Sequence, residues 1–334
     1  MLTTIICLSA LWVAGNAAPS SIPGPTAQVR NGTYVGVKND HYQQDFFLGM
    51  PYAQQPIGDL RFTVPQSLNE SWDGVHDAKE YSNICVGYGT DSIWYPMSEA
   101  CLTLNVVRGS SASEGSNLPV GVWIHGGGFY MGSGSDERYN MSAIVANSEV
   151  ASSGNTNLGL RDQRLALQWI KENIQAFGGD PEKVTIWGES AGGMSVGTHL
   201  IAYGGRDDGL FRGAIMESGG SITASPMNDT GYQAMYDEVV AKVGCSNAAN
   251  TLQCLREVPF EELNTVFNGT DGNPAYSFSP IADQDLVRGR GSVQLDQHEF
   301  VKVPILAGTN TDEGASFGPT GINTTEQFYA YLTG

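Results

Sequence analysis

The feature that most limits the possible folds is an apolar run, Val184–Trp187, that stops at Gly188 and is followed at once by small residues and a helical pattern. A strand that gives way to a helix so abruptly needs a tight turn, which glycines at positions 188 and 192 permit. Ser190 lies on that turn. Elsewhere along the chain, predicted strands alternate with predicted helices, which is typical of a parallel sheet with helices on both faces. The sequence therefore predicts an α/β fold with a mostly parallel central sheet.

The clearest predicted helix spans Arg161–Phe177, because apolar residues recur along one of its faces and a Gly-Gly-Asp-Pro stretch ends it. Those apolar residues are Ala166, Ile170, Ile174 and Phe177, with Leu165 and Trp169 beside them. The other predicted elements are strands at Leu102–Val107, Val120–Ile124, Gly213–Met216 and Val303–Ala307, helices after Gly192 and over Gln233–Val243, and a surface loop at Gly109–Asn117.

The first 18 residues are predicted to form a secretory signal peptide. Their apolar core, Ile5–Val13, is too short to span a bilayer, which takes about 20 residues, and small residues follow it at Ala17 and Ala18. No later stretch is apolar enough to cross a membrane. Residues 19–334 are therefore expected to be secreted and extracellular, without a transmembrane segment.

Cysteines and glycosylation motifs agree with export. Cys7 lies in the predicted leader, and the remaining cysteines are an even set that suits an oxidising compartment. Their spacing suggests two local disulfides, Cys85–Cys101 and Cys245–Cys254. Six Asn-x-Ser/Thr motifs are predicted glycosylation sites, at Asn31, Asn69, Asn140, Asn228, Asn268 and Asn323.

Charge and residue spacing exclude several classes of partner. The net charge of −18 over 334 residues argues against nucleic acid and anionic membrane surfaces as partners. No Cys/His cluster has the spacing of a metal site. Neither a metal nor any other cofactor is therefore predicted.

Ser190 is the candidate nucleophile. Its G-x-S-x-G spacing is weak evidence alone, because the same spacing occurs around Ser195 and Ser316. Only Ser190 directly follows a predicted strand, whereas Ser195 falls more than one turn inside the next helix and Ser316 falls in a loop. The alternative interpretation is an ordinary glycine-rich turn between a strand and a helix.

A second glycine run, Gly126–Gly128, follows the predicted strand Val120–Ile124 and favours the catalytic interpretation. Attack on an ester carbonyl creates an oxyanion, and backbone N–H groups must already face it. Glycines let the backbone approach that closely, because no Cβ is in the way. A flexible turn is the alternative, but two such features, each at the end of a strand, favour a catalytic site.

A series of longer motifs occurs in order along the chain: Phe47–Ala53, Leu60–Phe62, Ser98–Val106, His125–Phe129, Asn157–Gln163, Gly188–Gly192, Glu217–Gly219 and Gly308–Gly314. Together they resemble the type-B carboxylesterase/lipase family of α/β-hydrolases, most closely its secreted fungal members. The resemblance covers nearly all of residues 19–334. It implies that these residues form one α/β-hydrolase domain, which lacks one internal strand and the C-terminal part of the family.

The resemblance also implies a role for each matching residue. Ser190 would be the nucleophile, and Glu313 would be the acid that orients a histidine. Gly127, Gly128 and Ala191 would donate the N–H groups of the oxyanion hole.

Other matching residues would support this site. The Cys85–Cys101 loop would partly cover the pocket, and Cys245–Cys254 would be a structural link. Arg61 and Glu99 match a buried ion pair of the family, and Glu189 would place a negative charge beside the serine. From the residues alone, Asp312 is an alternative to Glu313 as the triad acid.

The general base is the first departure from the family pattern. In this fold the base follows the acid along the chain, yet no histidine follows Glu313. Members of the family continue over a part that contains their histidine, so the chain is interpreted as a truncation, a partial gene model or a fragment. None of the histidines is a convincing base. His199 is expected too far along the helix that follows the nucleophile, and His298 is expected at the wrong edge of the sheet. His125 belongs to the glycine loop, and His41 and His76 lie in the N-terminal region.

A missing strand is the second expected departure. Between Asn147 and Ala151 the family has a strand at the centre of its sheet, which is absent here. A short predicted helix, Ser142–Asn147, instead runs through residues 151–154 into the Arg161–Phe177 helix. Loss of a central strand would exceed the usual stability margin of about 5–15 kcal/mol. We therefore interpret the strand as missing because an exon is absent from this sequence; the alternative is that the sheet has been rebuilt.

The leading interpretation is a secreted carboxylic ester hydrolase, an esterase or lipase, that uses a Ser-Glu-His triad and an acyl-enzyme intermediate. Its histidine is absent from the chain. The substrate would be a small-molecule or lipid ester, and the short Cys85–Cys101 loop favours medium-sized apolar esters over bulk triglyceride. The alternatives are an inactive fragment and a non-catalytic binding protein on the same scaffold, although such members typically lose the serine that is intact here.

Overall fold

The structure is a computed structural model that describes residues 24–333, except 91, 140, 143–144, 146–150, 156–158, 223–228, 270–273 and 277. The predicted signal peptide and the motifs at Asn140 and Asn228 lie outside the described residues. Most of the predicted helix Ser142–Asn147 does so too.

The described chain begins with a run of strands, and strands and α-helices alternate from residue 151 to residue 242. Its strands are β1 (Thr26–Val29), β2 (Gly32–Val35), β3 (Val37–Asn39), β4 (Gln44–Pro51), β5 (Val75–Asp77), β6 (Ile84–Cys85), β7 (Met97–Ser98), β8 (Thr103–Gly109), β9 (Leu118–Ile124), β10 (Ala151–Asn155), β11 (Gly179–Glu189), β12 (Gly213–Glu217) and β13 (Ile305–Gly308). Its α-helices are α1 (Gly159–Asn173), α2 (Ala191–Gly205), α3 (Asp229–Lys242), α4 (Thr251–Glu257), α5 (Phe260–Phe267), α6 (Gly291–Asp296), α7 (Gly314–Phe317) and α8 (Thr325–Thr333).

The main sheet has the strand order β13-β12-β11-β9-β10-β8-β4-β3. The strands from β13 to β10 in that order are parallel, and β8, β4 and β3 continue the sheet by antiparallel pairing. A smaller sheet has the order β1-β2-β5, and β6 pairs with β7. The predicted α/β fold with a mostly parallel sheet is confirmed.

The expectation that the sheet lacks a central strand is wrong. Residues Ala151–Asn155 form β10, which pairs in parallel with β9 and antiparallel with β8. The reason is that the space between β8 and β9 exposes two ladders of backbone N–H and C=O groups, which any extended segment can satisfy. The sequence Ala-Ser-Ser-Gly-Asn lacks the apolar pattern of a buried strand, so it gave no local signal.

The helix predicted over Arg161–Phe177 is confirmed, with small differences at its ends. Helix α1 begins at Gly159, and a 3₁₀ helix, Ile174–Phe177, continues it and ends at Gly178 in the left-handed region (φ 89°). The predicted apolar face is buried in the main core, together with residues of β8, β9 and β11. Helix α2 packs against β11 and β12 and also contacts α1.

Both suggested disulfides are present, Cys85–Cys101 and Cys245–Cys254. The first closes a loop beside the main sheet, and the second joins the end of α3 to α4. None of the described helices combines the length and the apolar character that a membrane-spanning helix needs.

Candidate functional site

Ser190 lies between the end of β11 and the start of α2, with φ 55° and ψ −123°. A residue other than glycine seldom adopts a positive φ, and such strain is common at functional sites. The turn is fixed by two backbone hydrogen bonds: the N–H of Ser190 donates to the carbonyl of Glu217 (2.8 Å), and its carbonyl accepts from the N–H of Met194 (2.9 Å). Strand and helix therefore hold this residue in one conformation.

The glycines on either side allow this turn to form. A Cβ built on Gly188 would lie 2.5 Å from the carbonyl carbon of Gly192, and one on Gly192 would lie 2.0 Å from the carbonyl oxygen of Ile124. Both distances are far below a normal contact. The close approach of the turn to β9 therefore requires glycine at both positions.

The competing serines lie in different surroundings. Ser195 is buried inside α2, where its hydroxyl donates to the carbonyl of Ala191 (2.9 Å), as the sequence predicted. Ser316 lies in the short helix α7 rather than in a loop. The strand-to-helix turn distinguishes Ser190 from both.

The glycine loop after β9 runs directly beside the serine. A Cβ on Gly126 would lie 3.1 Å from the Cβ of Ser190. The carbonyl of Gly127 accepts from the N–H groups of Tyr130 (3.1 Å) and Met131 (3.0 Å), which closes the loop. Among the described residues, the N–H groups of Gly127 and Gly128 have no acceptor.

Helix α2 adds further free donors, because the first N–H groups of a helix have no acceptor within it. Ala191 is the first residue of α2 and follows Ser190. Gly126 places the glycine loop beside Ser190, and free backbone N–H groups of this kind can stabilise negative charge that develops on a carbonyl oxygen.

Glu313 lies near the carboxyl end of β13, and its carboxylate is held by two donors. Its Oε1 accepts from the hydroxyl of Ser218 (2.5 Å) and from the N–H of Asn310 (2.8 Å). These hydrogen bonds, that of Ser218 first, lower the pKa of Glu313 below its ordinary value. The carboxylate of Asp312 is exposed and has no hydrogen bond within the described part of the chain, so the geometry favours Glu313 over Asp312.

Strand register brings these groups to one edge of the sheet. Glu189 of β11 pairs with Glu217 of β12, which pairs with Gly308 of β13. Ser190, Ser218 and Glu313 follow those strand ends. Carboxyl ends of parallel strands meet at the same edge, which is where ligands bind in open α/β sheets.

Three carboxylates make the surroundings of Ser190 negative. Burial raises the pKa of Glu189, and the nearby charges of Glu217 and Glu313 raise it further, while Arg138 opposes them. The carboxylate of Glu217 also accepts from the indole N–H of Trp187 (2.9 Å). This edge of the sheet therefore favours a cation over an anion.

The histidines are engaged elsewhere. His125 is buried beside the glycine loop, with Nδ1 2.7 Å from the carbonyl oxygen of Gly126, and burial lowers its pKa. His199 is buried in α2, with Nε2 3.1 Å from Oε1 of Gln163, and burial lowers its pKa to about 3. Within the described chain, no histidine ring is hydrogen-bonded to the serine or the acid of the candidate site. The remaining rings, His41, His76 and His298, are exposed.

The ion pair predicted between Arg61 and Glu99 is present and mostly buried. Nε and Nη2 of Arg61 lie 2.6 and 2.7 Å from the two carboxylate oxygens of Glu99. Nη1 of Arg61 donates to backbone carbonyls near the end of α4, those of Leu255 (3.2 Å), Arg256 (3.1 Å) and Val258 (2.7 Å). The side chain of Arg61 thus connects the Cys85–Cys101 loop to the end of α4.

Some predictions on the site remain untested. No group of three or more His, Cys, Asp or Glu residues in the described regions could hold a metal ion, and the absence of a cofactor stays a prediction. Glycosylation also stays a prediction. Of the described sequons, those at Asn69, Asn268 and Asn323 are exposed. The side chain of Asn31 donates a hydrogen bond to the carbonyl of Glu70 (2.5 Å).

Sequence reasoning missed the hydroxyl of Ser218. The residue belongs to the motif Glu217–Gly219, but its contact with Glu313 joins positions 95 apart in sequence. Only the adjacency of β12 and β13 brings them together, and no local pattern reveals that adjacency.

Sequence comparisons match this chain to carboxylesterase and lipase sequences over most of its length. The sequence profile of the carboxylesterase family matches residues 21–151 and 148–332. The chain is 34% identical over 356 residues to Lipase 5 of Diutina rugosa and 35% identical over 374 residues to Secreted lipase 1 of Botryotinia fuckeliana. The alignments cover 91% and 95% of this chain and 64% of each relative. The chain therefore spans less than two thirds of the length of these relatives.

Solved structures agree with the sequence relatives. The crystal structure of Aspergillus niger EstA matches with a TM-score of 0.78 and 35% identity, over 88% of this chain and 61% of that one. A PNB esterase matches with a TM-score of 0.75 and 33% identity, over 92% of this chain and 68% of that one. The two profile segments meet at residues 148–151, immediately before and at the start of β10. The chain therefore departs from the family pattern where the strand was expected to be missing.

Proposed function

Because the chain belongs to the carboxylesterase family, we propose that it hydrolyses carboxylic esters and that Ser190 is the nucleophile. The observation that carries the proposal is the strained turn at Ser190, beside a glycine loop in which the N–H groups of Gly127 and Gly128 lack acceptors among the described residues. Strain of this kind is common at functional sites, and we propose that the turn presents the hydroxyl of Ser190 to preorganised donors.

The proposed reaction follows the acyl-enzyme route. Oγ of Ser190 attacks the ester carbonyl while a base takes its proton, and the carbonyl oxygen becomes an oxyanion that the N–H groups of Gly127, Gly128 and Ala191 stabilise. The tetrahedral intermediate expels the alcohol, which receives that proton. Water then attacks the acyl-serine and releases the acid.

Glu313 is the proposed triad acid. Its carboxylate is already held by Ser218 and Asn310, so it could accept a hydrogen bond from an imidazole N–H and stabilise the imidazolium that forms. We propose that none of the histidines in this chain is that base, because the two buried rings are engaged with Gly126 and Gln163.

The substrates that fit this proposal are neutral esters. The carboxylates of Glu189, Glu217 and Glu313 disfavour anionic esters at the reacting centre. Medium-sized apolar esters are proposed over bulk triglyceride, because the Cys85–Cys101 loop is short. Since one relative is named a secreted lipase, we also propose export of this protein, with residues 1–18 as its leader.

A rescue experiment tests the proposal. Turnover of p-nitrophenyl butyrate is measured with and without added imidazole for the wild type and for Ser190→Ala. We expect imidazole to restore turnover in the wild type, because it supplies the base beside Glu313, whereas Ser190→Ala stays at the rate of imidazole in buffer. Ser316→Ala, which alters the same sequence spacing elsewhere, is the matched control and should behave as the wild type. Imidazole-dependent turnover that survives in Ser190→Ala would sink the proposal.

A further inference from the structure

A cavity of about 520 Å³ lies between α1 and the end of α2, and its size is within the range of small-molecule sites. Ser190 and the glycine loop do not line it. It shares Val64, Pro65 and Arg161 with the larger cavity at the Cys85–Cys101 loop, but none of its other lining residues. Most of its wall is therefore distinct from the candidate ester site.

The wall of this cavity is rich in positive charge, although the chain as a whole carries a net charge of −18. Four of the 17 lysines and arginines line it, against two carboxylates. The cations are Arg161, Arg164, Lys171 and Arg206, and the carboxylates are Glu172 and Asp208. Glu172 is itself paired with Arg30 outside the cavity (2.7 Å). A local excess of positive charge on an acidic protein favours an anionic ligand.

Three of these cations converge on one ring, that of Tyr203. The guanidinium carbons of Arg206 and Arg164 lie 4.1 and 5.2 Å from the centroid of the ring, and Nη1 of Arg161 donates to its hydroxyl (3.3 Å). The backbone of Tyr203 has a φ of 53°, which is strained for a residue other than glycine. This strained conformation places the ring among three guanidinium groups.

The carboxylate nearest to two of these groups does not satisfy all of their donors. Asp208 is shared, because Arg206 donates to it from Nε (2.8 Å) and Nη2 (2.9 Å) and Arg164 donates to it from Nη2. Arg164 is only 9% exposed, and its Nη1 has no acceptor among the described residues. A buried donor without an acceptor is costly, so Arg164 is a guanidinium group that still lacks an acceptor.

The other two cations of the wall are paired with carboxylates that lie outside it. Lys171 pairs with Glu182 (2.5 Å), and Arg161 pairs with Asp283 and Asp285 (2.8 Å each). Glu182 and Asp285 are largely exposed, so water and salt screen their charge. These partners therefore do not remove the positive charge that the wall presents to the cavity.

The rest of the wall is mainly apolar, with Val64, Pro65, Leu165 and Leu210 beside the cations. An inorganic ion would leave these side chains in contact with water, whereas an organic group would cover them. The wall thus fits a ligand that carries both an oxyanion and an apolar group.

We propose that this cavity binds an organic phosphate or sulfate, whose oxyanion accepts hydrogen bonds from the guanidinium groups of Arg164 and Arg206 and whose apolar body lies against Leu165 and Leu210. Guanidinium groups bind such oxyanions by paired, charge-assisted hydrogen bonds. A neutral molecule of the same shape would leave those donors unpaired. The proposal does not depend on ester hydrolysis, because no residue proposed to act in that reaction lines the cavity.

Calorimetry with probes of matched shape tests the proposal. The chain is titrated at pH 8 and low salt with benzenesulfonate, phenylphosphonate and the neutral benzenesulfonamide. We expect at least one of the two anions to bind at least about tenfold more tightly than the sulfonamide. The tighter anion assigns the cavity to sulfates or to phosphates. Inorganic phosphate should bind more weakly than phenylphosphonate, because it leaves the apolar wall uncovered.

Two arginine variants locate the binding site. Arg206→Gln removes an exposed guanidinium group of the wall and should abolish the preference for the anions. Arg212→Gln makes the same change of charge at an exposed arginine outside the cavity and should keep the preference.

Substitutions of Gln168 change the charge of the wall in both directions. This residue is exposed and lines the cavity. Gln168→Lys should tighten binding of the preferred anion, and Gln168→Glu should weaken it. A folding defect could weaken binding in both variants but could not strengthen it in one of them.

The wild-type titrations decide the question even if a variant fails to fold. Equal affinity for the anions and the sulfonamide, or no binding of any probe, overturns the proposal. A preference for the anions that persists in Arg206→Gln and is the same in both Gln168 variants overturns it as well, since the anion would then be recognised elsewhere.

Discussion

At the scale of single residues, the candidate site depends on where side chains are missing as much as on where they are present. Gly188 and Gly192 let the Ser190 turn approach β9, and Gly126 lets the next loop approach the serine. A single methyl group at any of these glycines would lie too close to neighbouring atoms for the contact to form. Close backbone contacts therefore fix the shape of the turn, and such preorganisation is what the proposed oxyanion stabilisation requires.

Gly192→Ala tests this close contact. The added Cβ would lie 2.0 Å from the carbonyl oxygen of Ile124, so the turn must shift. We expect loss of Ser190-dependent acylation and a fall of about 1–3 kcal/mol in the free energy of unfolding. Gly289→Ala, where no atom lies within 4 Å of the new methyl group, should change neither quantity.

Asp162 predicts how stability depends on pH. Its pKa is raised from 3.8 to about 8 in the folded chain, so between those values the folded state binds a proton that the unfolded state has lost. The free energy of unfolding should therefore fall as pH rises from about 4 to about 8, at about 1.4 kcal/mol per unit at most. Urea unfolding at pH 5, 6.5 and 8 measures this slope. Asp162→Asn should have a shallower slope than the wild type, and an identical slope would contradict the assignment.

At the scale of elements, Arg61 joins parts of the chain that are far apart in sequence. It pairs with Glu99 of the Cys85–Cys101 loop and caps the carbonyls at the end of α4. Arg61→Met would leave a buried carboxylate and several carbonyls without a donor. We expect the free energy of unfolding to drop by about 3–5 kcal/mol in chemical denaturation.

A matched ion pair at the surface gives the control for Arg61. Arg30 and Glu172 lie 2.7 Å apart, but their side chains are 66% and 37% exposed. Arg30→Met should cost less than about 1 kcal/mol. Similar losses for the two variants would show that the buried pair does not organise the Cys85–Cys101 loop.

Elements with a strong apolar period were predictable from the sequence, and β10 was not. Helix α1 and strands β9 and β11 carry buried apolar faces, so their patterns identified them. Ser190 was also recognised from the elements on either side of it. Strand β10 consists of small and polar residues and is defined by its neighbours β8 and β9, which no local window includes. The contact between Ser218 and Glu313 was missed for the same reason.

A proline in β10 tests whether that strand completes the sheet. Ser153 pairs with Val106 of β8 and Val122 of β9, so Ser153→Pro removes an N–H from the middle of the sheet. We expect loss of hydrogen-exchange protection in β8 and β9. Glu114→Pro is the control, because this residue occupies a surface turn that Gly115 follows with φ 86°. Unchanged protection in Ser153→Pro would mean that β10 does not join the sheet.

At the scale of the whole molecule, the candidate site lies at the carboxyl ends of the parallel strands, close to the outermost strand of the sheet. Strand β13 ends the sheet, and its residues are exposed, including Ile305 (61%) and Leu306 (64%). Glu313, the proposed triad acid, lies just beyond this strand and is partly accessible to solvent. We therefore expect added imidazole to reach Glu313 from solvent.

Mass spectrometry of the acyl-enzyme tests the central claim most directly. The chain is mixed with p-nitrophenyl butyrate and imidazole, quenched in acid and digested. The account predicts one butyryl group on the peptide that contains Ser190, and none on that peptide in Ser190→Ala. No acyl group on Ser190 in the folded wild type, or an acyl group on another residue that persists in Ser190→Ala, would contradict it.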